Sequence, residues 1–355
     1  MKAARVYLDW NASAPLRPEA RRAMLDAMDV TGNPSSVHTE GRAARRIVEH
    51  ARAQIAEATG AQGADIVFTS GATEAAALAC AGRGLSCAPV EHQAILAWCD
   101  KRLGVDADGA IAITDPGGAA VQGANSETGI LQTLPPGLAV TDATQAFGKI
   151  PFAFDWMNCD MAILSAHKFG GPKGIGALLL RRGTEIAARI RGGGQELGRR
   201  AGTENVAAIA GFGAAADCAS RDLAAGRWDA VAELRNILEK ALASGPRQTI
   251  FVGNDVARLP NTTCIVTPDL KGETQVMRMD LAGFAVSAGS ACSSGKVRGS
   301  SGLAAMGFDD AQARSAVRVS IGPATTKDDI LRFADTWRRS LETQRTPAVH
   351  ERSLT

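Results

Sequence analysis

Met161-Ala162-Ile163-Leu164-Ser165-Ala166-His167-Lys168 leads through Gly170-Gly171-Pro172-Lys173-Gly174 into Gly176-Ala177-Leu178-Leu179-Leu180. Two short apolar runs bounded by glycine and proline read as strands buried on both faces. The lysine stands where the first strand ends, beside a hydroxyl and an imidazole. A pyridoxal-phosphate (PLP) enzyme needs that arrangement: an amine for the cofactor aldehyde, and neighbours such as Ser165 and His167 to hold the phosphate. A surface lysine after a strand gives the same local pattern, so other motifs must decide.

Moving outward, Asp65–Thr69 and Leu138–Thr141 are further strands, and Pro18–Met28 and Arg42–Thr59 are helices, the second closed by Gly60. An alanine-rich helix opens at Ala72. Strands alternating with helices imply a mostly parallel sheet covered on both faces. From Val206 to Ser244 the chain is helical with a joint near Gly226. Strands at Thr249–Val252, Thr263–Val266 and Ala316–Ile321 and a closing helix from Lys327 to Thr343 then suit a smaller α+β domain. We place a large domain at residues 13–225 and a small one at 1–12 with 226–355.

Composition narrows the class. The 355 residues are 45% hydrophobic and 21% charged with a net charge of +2, ordinary for a globular protein. Basic pairs such as Arg181-Arg182 and Arg199-Arg200 are too short for a nucleic-acid surface. No run of eighteen apolar residues and no signal-type leader occurs, so a cytoplasmic protein with no membrane contact is expected. Seven cysteines, an odd number with no C-x-x-C pair, indicate neither a disulfide framework nor a metal site. Cys80, Cys159, Cys218 and Cys264 have the apolar or small neighbours of core residues. Cys292, in Ser287-Ala288-Gly289-Ser290-Ala291-Cys292-Ser293-Ser294-Gly295-Lys296, has the polar, glycine-flanked setting of an accessible thiol.

Three more motifs bear on a cofactor. In Asp142-Ala143-Thr144-Gln145, a strand-end carboxylate could keep the PLP ring nitrogen protonated and Gln145 could bond the phenolic oxygen; a helix cap would look the same. In Ser70-Gly71-Ala72-Thr73-Glu74, a strand-to-helix junction offers the Ala72 and Thr73 amides as a phosphate cup. His92, in Glu91-His92-Gln93-Ala94, could stack on the ring and move protons, or be purely structural.

In this order the motifs resemble the cysteine desulfurases of the NifS/IscS group, within the class V branch of fold-type I PLP enzymes, over nearly the whole chain. The resemblance implies an α/β fold whose mainly parallel sheet is of the seven-stranded type, with PLP on Lys168. It implies conversion of L-cysteine to L-alanine, the sulfur passing as a persulfide to Cys292 and on to an acceptor protein. Gly192-Gly193-Gly194-Gln195-Glu196 and Arg199–Asn205 match a segment whose threonine, here Thr203, reaches the phosphate of a partner subunit, so a homodimer is implied. Arg318 matches the arginine that grips the substrate carboxylate. Asn125 and Ser126 match substrate and cofactor contacts, although the family has a second asparagine where Ser126 stands. Ala77 replaces another asparagine, and residues 81–142 are too short for the usual covering helices. A selenocysteine lyase, a C–S lyase, an aminotransferase and a non-catalytic homologue share these features and stay open.

Overall fold

Alternate residues of the apolar runs face opposite sides of one sheet, and each side has its own helices. The computed structural model describes residues 4–289 and 299–342. The chain opens with β1 (Val6–Tyr7), α1 (Pro18–Met28) and α2 (Thr39–Thr59). α2 starts three residues before its apolar periodicity, because the His38 ring accepts the Gly41 amide as an N-cap. Gly60, left-handed at φ 59°, ends it as expected.

The central layer follows: β2 (Ala64–Thr69), α3 (Ala72–Cys80), β3 (Ser86–Cys87), α4 (Gln93–Leu96), β4 (Asp100–Lys101), β5 (Ala120–Gln122), β6 (Val140–Asp142), α5 (Phe154–Met157), β7 (Met161–Ser165) and β8 (Gly176–Arg181). The continuous ladder has five strands, ordered β2-β8-β7-β6-β5. β5, β6 and β7 are parallel, whereas β8 runs antiparallel to both β7 and β2. The parallel bridge Ser86↔Ala119 attaches β3, which pairs with β4. Seven strands are thus reached only through that single bridge, and β8 is the exception to a parallel sheet. The short region between α3 and α5 holds one α-helix, the four-residue α4, in line with its lack of length.

α6 (Val206–Ala224) packs against α1 and α2. Its Phe212 shares a core with Phe68, Ala162, Leu164, Ala177 and Leu179 on one face of the sheet. On the other face Ala76, Leu78 and Ala79 of α3 cover Val67, Val140, Met161, Ile163 and Leu178. This period of two is what a doubly covered sheet requires.

α7 (Arg227–Ala243) begins after Gly226, left-handed at φ 69°, so the expected joint is real. Beyond it come β9 (Ile250–Phe251), β10 (Thr262–Val266), α8 (Gly272–Leu281), β11 (Phe284–Ala285), β12 (Ser287–Ala288), α9 (Ser301–Ala305), α10 (Asp310–Ser315), β13 (Ala316–Ser320) and α11 (Lys327–Glu342). An antiparallel sheet, β12-β13-β10-β9, packs with Trp228 and Leu238 of α7 and Phe333 and Trp337 of α11. β1 pairs in parallel with β11, so the first residues of the chain join its second half.

Candidate active site

The carboxyl ends of β2, β5, β6 and β7 lie along one edge of the sheet, where ligands of parallel α/β folds bind. Lys168 follows β7 there. Its Nζ donates to the main-chain carbonyls of Asn11 (2.8 Å) and Ala12 (3.1 Å). The N-terminal segment therefore supplies the surface against which this amine rests.

One corner of the edge is suited to an anion. A Cβ on Gly176 would stand 2.6 Å from Leu164 O and 2.8 Å from Gly71 Cα, so only glycine lets the Ser70–Gly71 turn pack this close to the end of β7. Gly71 is the N-cap of α3 and brings no capping side chain to the first amides of the helix, those of Ala72 and Thr73. Ser165 is buried beside the turn, and burial followed by the positive charges of Lys168 and Lys173 pushes the His167 imidazole down to about 4. A neutral imidazole and an uncapped helix N-terminus suit a phosphate.

At the end of β6, Asp142 Oδ1 accepts the Thr144 amide at 2.9 Å. Thr144 Oγ1 is enclosed without a hydrogen-bond partner among the described residues, as is Arg318 Nε. Buried polar groups of this kind are what a ligand completes. Together with the anion corner and the Lys168 amine, they fit PLP. Gln145 lies one turn further on; its Nε2 donates to Asn11 O at 2.9 Å.

His92 caps a helix. Its Nδ1 accepts the Ala94 amide at 3.1 Å and so caps α4, which puts the proton of the neutral ring on Nε2. Glu91, next to it, is buried. Its carboxyl is held well above the ordinary range by burial, opposed by the Gln122 amide it accepts and reinforced by the nearby Asp142.

On the substrate side, Arg318 donates to Ser126 O (2.9 Å) and to Asp9 Oδ1 (2.8 Å). Ser126 thus contributes its carbonyl. Asn125 is occupied by backbone: its Oδ1 accepts the Glu127 and Thr128 amides and its Nδ2 donates to Val90 O. Its amide shapes the loop that carries Ser126. Thr203 is exposed and lines a cavity of about 250 Å³ with Thr69, Ser70 and Gly174 of its own chain. The segment bearing it is clamped by Arg200 to Glu74 (2.8 Å) and by Glu196 to Arg52 and the Phe68 amide (3.0 Å each).

Cys292 and Lys296 lie outside the described residues. Gly289 and Ser300, on either side of that stretch, are fixed by bonds to Ala316 O and Ala313 O. A Cβ on Gly289 would overlap Glu127 Oε1, while Ser300 Oγ donates to Glu127 Oε2 at 2.6 Å. The six described cysteines are all buried. Burial raises the Cys159 thiol to about 12, and a hydrogen bond with Cys80 leads the causes that bring Cys99 to about 12. Among the described residues no His, Cys, Asp and Glu cluster could hold a metal, and no helix is long and apolar enough to cross a membrane.

Four residues escape a reading by motif: Asn11, Lys149, Glu91 and Glu127. Lys149 had a visible signal, a charge four residues after Gln145 in an otherwise apolar stretch. Asn11 had none, because its partners lie more than a hundred residues away.

The chain matches the family described as Aminotransferase class-V over residues 6–100 and 120–333. It is 40% identical to a cysteine desulfurase of Cereibacter sphaeroides over 93% of this chain and 94% of that protein. With the cysteine desulfurase IscS of Dictyoglomus turgidum it shares 36% identity, covering 96% and 95%. The X-ray structure of a NifS-like protein from Rickettsia africae superposes with a TM-score of 0.86 at 30% identity, covering 95% of this chain and 99% of that one.

Proposed function

The chain belongs to the class V aminotransferase family, and from that membership we infer that it is a cysteine desulfurase, a PLP enzyme converting L-cysteine to L-alanine with the sulfur carried as a persulfide on Cys292. The observation that carries this reading is the Lys168 amine at the carboxyl end of β7, on the same sheet edge as Asp142 and the uncapped start of α3. Bound PLP supplies an electron sink that makes the substrate Cα–H acidic and labilises its sulfur.

The chain's own residues do the rest. Ala72, Thr73, Ser165 and His167 hold the phosphate, and Asp142 keeps the ring nitrogen protonated through its negative charge. Gln145 bonds the phenolic oxygen. Arg318, already braced by Asp9 and Ser126 O, has Nε–H left for the substrate carboxylate. Lys168 takes the α-proton at Nζ and returns it to carbon, with His92 Nε2–H assisting. The Cys292 thiolate attacks the substrate sulfur: an S–S bond forms, the Cβ–S bond breaks, and its electron pair ends in a C–H bond of alanine. One thiol and one cysteine give one persulfide and one alanine, so no external oxidant is needed.

Buried thiols stay protonated and unreactive, which leaves Cys292 as the sulfur acceptor in this reading. Thr203 completes the phosphate site of a partner subunit in a homodimer. A separate acceptor protein, as in iron–sulfur cluster assembly, takes the persulfide sulfur in the cytoplasm. The test is alanine and persulfide production from L-cysteine by wild type and Cys292→Ala. The variant should bind PLP and L-cysteine, seen as a change in the cofactor absorbance, yet release no alanine. Near wild-type alanine release would overturn the role of Cys292, and pyruvate as product would identify a C–S lyase instead.

A further inference from the structure

Lys149 is a lysine with no place in the chemistry above, and it is only 2% exposed. It follows Gly148, whose left-handed φ of 76° lets the turn after β6 double back; a Cβ there would meet Ala219 at 2.9 Å. Lys149 Nζ donates to two side-chain carbonyls, Gln145 Oε1 at 2.6 Å and Asn11 Oδ1 at 2.9 Å. These bonds decide which way both amides face. With Oε1 turned to Lys149, Gln145 directs its Nε2 to Asn11 O. With Oδ1 turned to Lys149 and to Asn261 Nδ2 (3.0 Å), Asn11 directs its Nδ2 to Thr262 Oγ1 at 2.8 Å. Asn11, fully buried, is fixed on every side, and its main-chain carbonyl is the one that receives Lys168 Nζ at 2.8 Å.

We propose that Lys149 is a positioning residue for the Lys168 amine, acting through Gln145 and Asn11. Its charge state agrees with that task. Burial first, then the positive charges of Lys168 and Arg318, hold the Lys149 amine well below the ordinary lysine range. An amine shifted toward its neutral form still keeps two N–H donors for the two carbonyls. The charged groups around the network are Lys168 from the end of β7 and Arg318 from β13, the latter paired with Asp9.

The inference rests on the PLP reading of Lys168, and one experiment separates the two. Apoprotein is mixed with PLP, trapped with borohydride at intervals, and digested for mass spectrometry, with rates expressed per folded molecule. Wild type should carry the label on Lys168; label elsewhere would sink the PLP assignment. Lys149→Met matches the side-chain volume and lacks the donors. Attachment to Lys168 should slow about tenfold, the equivalent of one neutral hydrogen bond of about 1.4 kcal/mol. Its kcat should fall alongside, while KM for L-cysteine, set at Arg318, stays within about twofold. Lys149→Gln keeps an NH2 donor group one atom nearer the backbone and should attach faster than Lys149→Met. It also decides the matter alone if the thioether is not tolerated, by attaching more slowly than wild type. Attachment by Lys149→Met at the wild-type rate, or Lys149→Met matching or exceeding Lys149→Gln, would mean that Lys149 only fills space.

Discussion

Replacing Glu127 by Gln in the cofactor-free protein should change how stability depends on pH. Burial, opposed by the Ser300 hydroxyl and by Arg318, raises the Glu127 carboxyl from 4.5 to about 7. Oε1 is enclosed with no hydrogen-bond partner among the described residues. A carboxyl whose folded value is raised binds its proton more tightly in the native state. Its stabilising contribution is complete below 4.5 and disappears as pH rises through about 7. The whole interval corresponds to about 3 kcal/mol, and the part between pH 5 and pH 8 to about 2.5 kcal/mol. Gln keeps an acceptor for Ser300 and carries no charge to bury. Glu91, His167 and Lys149 also titrate abnormally, but they are common to both proteins and cancel in the comparison. Urea unfolding of the two proteins at pH 5 and pH 8 measures the effect. Relative to wild type, Glu127→Gln should gain about 2.5 kcal/mol on going from pH 5 to pH 8. Parallel pH profiles, within about 0.5 kcal/mol, would show that the carboxyl is not held protonated.

Lys168→Ala should lose both borohydride-trapped PLP and all turnover; covalent cofactor retained on another lysine would contradict the assignment. Arg318→Lys, which replaces a planar fork by a point charge, should raise KM for L-cysteine by about tenfold to a hundredfold with a smaller effect on kcat; an unchanged KM would move the carboxylate site elsewhere. If Thr203 serves a partner subunit, PLP retention should rise with protein concentration in step with dimer formation, and Thr203→Val should weaken both. Tight PLP binding by monomers, followed by sedimentation and dialysis, would exclude that arrangement.

Most of the sheet edge was legible because its signals are local. A strand ending in Ser165–Lys168, a strand ending in Asp142 and a Ser70-Gly71 turn before α3 each lie within a few residues of chain, and the structure places all three on one edge. Residues whose role comes from distant contact were illegible. Asn11 touches residues 145, 149, 168, 261 and 262, and no window of sequence contains them. Short elements such as β5, three residues long, fall below any periodic signal, and they form because neighbouring strands offer free backbone groups. Asn125 shows the reverse case. Its motif suggests a ligand contact, yet its amide holds the Glu127 and Thr128 backbone.

The docking of Asp9 and Asn11 on β13 also fixes when the enzyme can first exist during its own synthesis. Asp9 meets Arg318 across 309 positions, and Asn11 meets Ser320 across another 309. A ribosome adding about 5–20 residues per second needs about 15–60 s to make the later partner after the earlier one. For about the second half of that time Lys168 is already made, while Arg318, the arginine proposed for the substrate carboxylate, does not yet exist. If Arg318 grips the substrate carboxylate as proposed, a nascent chain in this interval can meet PLP but cannot hold cysteine, and sulfur is not released until the last strand of the small sheet has closed over the first residues of the chain.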